Sequence, residues 1–151
     1  MKLHVGCGND LKEGYVSIDA VLPCDVLHDL RNPLPYPDNS IDEILANGVI
    51  QHVSREEWKG IKKDWVRVLK KGGIMHISCW NFPWVLKEFL AHPDEPYAMQ
   101  RIYAGQDGKY DYFKNGFTIE KLTRDLQEEG MTNFQRQASG EEFIDLICEK
   151  L

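Results

Sequence analysis

The chain has 151 residues, 42% of them hydrophobic and 11% aromatic, enough for one ordinary core and too few for two full domains. With 28% charged residues and no clustering of Gly, Pro or Ser, it lacks the low hydrophobicity that keeps a chain unfolded. Eighteen Lys and Arg against twenty-four Asp and Glu leave a net charge of -6, which opposes nucleic acid and anionic lipid as partners.

Apolar runs and turn residues divide the chain into alternating elements. Leu3 to Val5 reads as a short strand stopped by Gly6 and Gly8, Val16 to Ile18 as a second ending on Asp19, and Asp25 to Leu27 as a third. After the turn-rich PYPDNS, Ile41 to Leu45 makes a fourth. Arg55 to Lys70 has helical spacing, with Trp58, Ile61, Trp65, Val66 and Leu69 on one face, Ser54 as N-cap, and Lys71, Gly72 and Gly73 as its stop. Ile74 to Trp80 reads as a buried strand, and Phe82 to Gly116 as aromatic and irregular. Thr118 caps a further helix to about Glu129, ended by Gly130. Phe134 to Ala138 and Phe143 to Cys148 read as a closing antiparallel pair around Ser139-Gly140.

Strands separated by helices predict a doubly wound, mostly parallel α/β sheet in three layers, with an antiparallel hairpin at one edge. Ligands in such sheets bind beyond the carboxyl ends of the strands. No apolar run approaches the roughly 20 residues that cross a bilayer, and MKLHVGCG lacks a signal sequence's n-region and h-region, so a cytoplasmic protein with no membrane partner is expected. Cys7, Cys24, Cys79 and Cys148 lie far apart without metal-ligand spacing and read as reduced thiols, and no metal is expected.

Gly6-Cys7-Gly8-Asn9 follows the first strand directly, where glycines let backbone amides approach a ligand; many tight turns need glycine for conformation alone. Asp19 ends the second strand, placed to accept from both hydroxyls of a ribose, and Asp29 beyond the third is placed for an adenine amine. Neither the third glycine of a dinucleotide fold nor the Gly-Lys-Ser/Thr of a P-loop is present, so an adenosine cofactor without phosphates, S-adenosylmethionine, fits better than a nicotinamide dinucleotide.

The blocks LHVGCGNDLKEGYVSIDA, DLRNPLPYPDNSIDEI, QHV and RVLKKGGIMHIS, in that order, resemble a class I S-adenosylmethionine-dependent methyltransferase of the type 11 group, and RIYAGQDGKYDYFKNGFTIEKLTRDLQEEGM resembles the C-terminal part of its small members. The resemblance implies a seven-stranded Rossmann-like sheet in a single domain, 1–151. It implies that Gly6, Cys7 and Gly8 face the methionine portion, Asp19 the ribose, Asp29 and Leu30 the adenine, and Asn47 the sulfonium, with Asn9, Ala20 and Gly48 completing the cofactor set. The sequence departs from relatives in starting at its first strand, in leaving about two helical turns at most between Gly8 and Val16, and in having Gln51 for Glu, Lys71 for Pro and Phe113 for His.

His52, just beyond the fourth strand, is the candidate general base, with capping or packing as the alternative role. His4 and His76 alternate with apolar residues and read as sheet residues; Trp58 and Trp65, seven apart, read as core. Segment 81–116 is dense in aromatics and reads either as a substrate lid, with Trp84, Tyr103 and Tyr112 touching substrate and Asp107 or Asp111 orienting it, or as a cover for the sheet edge. The function expected is methyl transfer to a small-molecule or glycan acceptor; the alternative is a non-catalytic cofactor-binding partner subunit. A monomer and a homo-oligomer both remain open.

Overall fold

In the computed structural model, which describes residues 1–151, period-two alternation of apolar residues builds the strands and 3.6-residue periodicity builds the helices packed on them. The elements in chain order are β1 (Lys2–Val5), β2 (Val16–Asp19), β3 (Val26–Leu27), β4 (Ile41–Asn47), α1 (Arg55–Val68), β5 (Leu69–Trp80), α2 (Phe82–Ala91), α3 (Gln100–Tyr103), α4 (Ile119–Gln127), β6 (Met131–Arg136) and β7 (Phe143–Lys150). They form one seven-stranded sheet of order β3-β2-β1-β4-β5-β7-β6. The first five strands pair in parallel, and β7 runs antiparallel to both β5 and β6, as the sequence predicts. Because the chain winds outward from β1 in one direction and from β4 in the other, the topological switch point lies between these two central strands.

Helix α1 starts where a reciprocal capping box satisfies two of its free amides: Ser54 Oγ accepts from the Glu57 amide, and the Glu57 carboxylate accepts from the Ser54 amide at 2.7 Å. Its apolar stripe faces the sheet, and the rings of Trp58 and Trp65 meet edge to face with centroids 5.8 Å apart. Helix α4 lies beside it. Trp58 Nε1 donates to Asp125 at 3.1 Å, and the buried Lys62 amine donates to the Asp125 carbonyl at 2.8 Å. Side chains such as Leu3, Ile44, Met75, Ile77 and Leu146 fill the core between these helices and the sheet, and each fully buried aliphatic residue contributes about 1.5–3 kcal/mol.

The three crossovers before β4 are loops and turns without helices. The first spans only residues 6–15, consistent with the short crossover expected there. On the sheet face away from the α1 core, His76 pairs with Asp145 of the neighbouring strand, and Tyr15 donates to Glu43.

Several element boundaries differ from the sequence reading, three of them with a clear cause. Helix α1 ends at Val68, not Lys70, and β5 begins at once: Leu69 pairs with Ile41 and Ile74 with Glu43, so residues 70–73 bulge out, with Gly72 at φ +74°. The segment read as irregular begins with a regular helix, α2, with Pro83 in its first turn, where a missing amide costs nothing. Strand β6 starts at Met131, three residues before Phe134, and ends at Arg136, because Leu126 and Met131 both pack into the core and leave a short connection.

Candidate functional site

At the switch point the carboxyl ends of β1, β2 and β4 open into a cleft of about 430 Å³, within the roughly 300–1,000 Å³ usual for small-molecule sites. One wall is the loop after β1. The Gly6 amide donates to the Ile18 carbonyl at 2.7 Å, which ties this loop to β2, and Gly6, Cys7 and Gly8 all line the cleft. The two glycines do different work. A Cβ on Gly6 would lie 2.4 Å from Val49 Cγ2, so Gly6 seats the β4 loop against the β1 loop; a Cβ on Gly8 would meet no atom within 4 Å, and its φ of +52° favours glycine for conformation. Burial, with the nearby Asp19 charge, pushes the Cys7 thiol above its ordinary pKa, which keeps it protonated and a poor nucleophile.

Asp19 closes β2 and fixes the first loop: its Oδ2 accepts from the Gly8 amide at 2.8 Å and its Oδ1 from the Val21 amide at 3.0 Å. Two amides leave part of the carboxylate's capacity of about four hydrogen bonds free for a ligand. Ala20 sits beside it in the cleft, with Asp29 and Leu30 beyond β3. The Arg31 guanidinium chelates Asp29 and holds its carboxyl down at about 2. On the opposite side, Asn47 accepts from the Ser78 hydroxyl, and the Gly48 amide donates to the Ser78 carbonyl at 2.9 Å, with Gly48 at φ +68°.

His52 ends a 3-10 turn, Ile50–His52, just past β4 and reaches the same cleft. Its Nδ1 is buried without a hydrogen-bond partner, and its ring meets Phe113 edge to face with centroids 4.9 Å apart. Burial lowers its pKa, outweighing the opposing pull of the Asp111 charge. A neutral imidazole with a free nitrogen can accept a proton.

The structure therefore gathers His52 and every residue selected for the cofactor except Asn9, which lies in the exposed turn beyond Gly8 and lines no part of the cleft. Of the residues selected for substrate, Tyr103 lines a separate cavity, whereas Trp84 and Tyr112 line neither it nor the cleft. Trp84 stacks on Trp80 instead, centroids 6.0 Å apart, and Tyr112 is exposed. His76 is a paired sheet residue as read; His4 is buried in β1 with both ring nitrogens unpartnered.

Arg31, Val49, Val53 and Lys114 also line the cleft without being expected there, and Tyr110 and Asp111, expected only in the lid, join them. Tyr110, Asp111 and Lys114 reach the cleft because the Lys114 and Asn115 amides donate to the Gln51 carbonyl at 2.7 and 3.2 Å, a pairing of distant segments with no local signature. Arg31 had a signal: it lies two residues from Asp29, and its guanidinium is 5.5 Å from the centre of the Tyr110 ring.

Residues 23–77 match the methyltransferase-domain family of type 11. No curated protein matches the sequence. Among solved structures, an S-adenosylmethionine-dependent methyltransferase from Thermotoga maritima, described as a possible histamine N-methyltransferase, superposes with a TM-score of 0.70 at 17% identity, over 99% of this chain and 82% of that one. One from Archaeoglobus fulgidus gives 0.69 at 12% identity, over 99% and 85%. The 1,6-didemethyltoxoflavin-N1-methyltransferase of Burkholderia thailandensis, solved with 1,6-didemethyltoxoflavin and S-adenosylhomocysteine, gives 0.66 at 15% identity, over 99% and 70%. At these identities the likeness establishes the fold. No helix of the chain is long and apolar enough to cross a membrane. Over its whole length the chain therefore has the fold of the S-adenosylmethionine-dependent methyltransferases, and residues 23–77 match the methyltransferase-domain model.

Proposed function

We propose that this chain is a type 11 S-adenosylmethionine-dependent methyltransferase that moves the methyl group to a small-molecule or glycan acceptor by in-line displacement, with the cofactor in the cleft between β1 and β4 and the acceptor approaching past His52. The observation that carries this reading is the convergence of the Gly6–Gly8 loop, the Asp19 carboxylate and the His52 ring on one cleft. The cofactor supplies an electrophilic methyl on a sulfonium. Asp19 would accept from the ribose hydroxyls, Asp29 and Leu30 would flank the adenine, and Gly6 to Gly8 with Asn47 and Gly48 would border the methionine portion.

Bound there, the cofactor would supply both the methyl and its sulfur leaving group, so no covalent enzyme intermediate is needed. The chain then has to supply alignment, exclusion of water and, for a hydroxyl acceptor, a place for the proton. Alignment at about 3–3.5 Å is worth roughly 7–11 kcal/mol. The His52 imidazole takes the proton, and its lowered pKa keeps it unprotonated near neutrality. Segment 81–116 serves as the lid: α2 and α3 border the adjoining cavities, and the Phe113 amide donates to the Tyr103 carbonyl at 3.3 Å, closing the segment on itself.

The test is calorimetric titration with S-adenosylmethionine and S-adenosylhomocysteine, followed by product release over a panel of hydroxyl, amine and sugar acceptors. Binding with turnover is expected. Binding without turnover on any acceptor would leave a cofactor-binding partner subunit, and absence of binding would overturn the cleft assignment.

A further inference from the structure

Beside the cofactor cleft, and sharing Lys114 with it, a second cavity of about 170 Å³ lies under α2 and α3. It shares Gln51, Trp80, Arg101 and Phe113 with a third cavity of about 470 Å³, and that one shares His52 and Asp111 with the cleft. The three form a sequence of neighbouring spaces running from the reacting centre to the inside of the lid.

The charge in the second cavity is one-sided. Arg101 and Lys114 line it and no carboxylate does, in a chain that carries a net charge of -6. Arg101 makes a single hydrogen bond, from Nη1 to the half-exposed Glu95 at 3.2 Å, so most of its five donors are unused. The Lys114 amine makes no hydrogen bond or ion pair. A third donor, the Asn115 Nδ2, is buried there without a partner. Flat walls complete it: Trp80, Phe82 and Phe113. Unused donors between aromatic rings suit a flat anion, and a carboxylate can take a two-pronged bond from the guanidinium. The Arg101 side chain is only 26% exposed, so water screens its charge less than that of the exposed Lys114, and at contact distance it outweighs the protein's overall negative charge.

Resting on the methyltransferase reading, we infer that the methyl acceptor is an aromatic carboxylate, its anionic end held in the second cavity by Arg101, Lys114 and Asn115 and its reacting end turned toward His52. The acceptor of this enzyme then differs in charge from an amine, whose cation would meet two like charges in this cavity.

The experiment uses the full chain saturated with S-adenosylhomocysteine and three probes that share a ring and a hydroxyl but differ in charge: para-hydroxybenzoate, para-hydroxybenzamide and tyramine. Binding is read by calorimetry and by quenching of tryptophan fluorescence, because Trp80 lines the cavity. The acid is expected to bind at least about tenfold more tightly than the amide, and tyramine more weakly than either. Arg101→Gln, at a residue outside the cofactor cleft, is expected to erase the preference for the acid while S-adenosylhomocysteine still binds, and Arg101→Lys to restore part of it. Equal binding of acid and amide, tighter binding of tyramine, or binding of none at millimolar concentration overturns the inference. A titration with S-adenosylhomocysteine that gives no heat defeats the cofactor reading and this inference with it, whereas cofactor binding without acid preference defeats this inference alone.

Discussion

Gly6 and Val49 are in contact across the floor of the cleft, so close that a Cβ on Gly6 would lie 2.4 Å from Val49 Cγ2. Gly6 also has a φ of +62°, which L side chains rarely adopt. Gly6→Ala should therefore destabilise the protein by roughly 2–4 kcal/mol, from left-handed strain and overpacking together. Adding Val49→Ala relieves the steric share and leaves the conformational share. Urea unfolding of the single and double variants checks this; equal midpoints for Gly6→Ala and the parent would show that the β4 loop yields freely.

Asp19 links two amides to a free face in the cleft. Asp19→Ala should weaken S-adenosylhomocysteine binding by about tenfold to a hundredfold, through loss of both ligand hydrogen bonds and loop order. Asp19→Asn keeps one acceptor oxygen and should fall between. Calorimetry decides, and an unchanged affinity in both variants would place the ribose elsewhere.

For His52, the expected loss with Gln is in kcat, by roughly 10²–10⁴-fold for a hydroxyl acceptor, with cofactor affinity nearly unchanged. Burial lowers this pKa, so activity of the parent enzyme should rise with pH and level off below the ordinary histidine value of about 6.5. His52→Gln should lose that inflection. A pH–rate profile of the same shape in both proteins would mean that His52 only packs against Phe113.

His4 predicts a pH effect on stability. It is buried in β1 with neither ring nitrogen partnered, and burial lowers its pKa against the opposing charge of Asp10. The unfolded chain thus takes up this proton at a higher pH than the folded one, and stability falls as pH drops from about 6.5 toward the lower folded value. His52 adds to the same slope. His4→Phe should make the fall shallower between about pH 7 and pH 5.5, measured by denaturant midpoints; an unaltered slope would mean that His4 titrates alike in both states.

Much of this was legible in local sequence. Ser54 and Glu57 announce the start of α1, the period of Trp58, Ile61 and Trp65 gives its buried face, and the Gly6–Gly8 loop with Asp19 marks the cleft through turn chemistry and strand position. What stayed hidden depends on pairing between distant segments. Residues 70–73 carry helix-stopping glycines, yet the β4 ladder draws them into an extended bulge. The aromatics of α2 resemble a loop rich in exposed rings until Val85 is seen buried beneath them. The ring that makes Trp84 a candidate substrate contact is already stacked on Trp80.

The helix-free crossovers that join β1 through β4 have an energetic corollary. From residue 6 to residue 40 the backbone is secured by short ladders and side-chain tethers such as Ser17 to Asp25, so its amides should exchange with deuterated solvent sooner than those of α1 and β5. Ligation would then complete this half of the molecule: saturation at a hundred times Kd adds about 2.7 kcal/mol, and the slowing of exchange should concentrate between residues 6 and 31. Under the proposed cofactor assignment, nucleoside occupancy and the integrity of the β1–β3 flank would be two readings of one equilibrium.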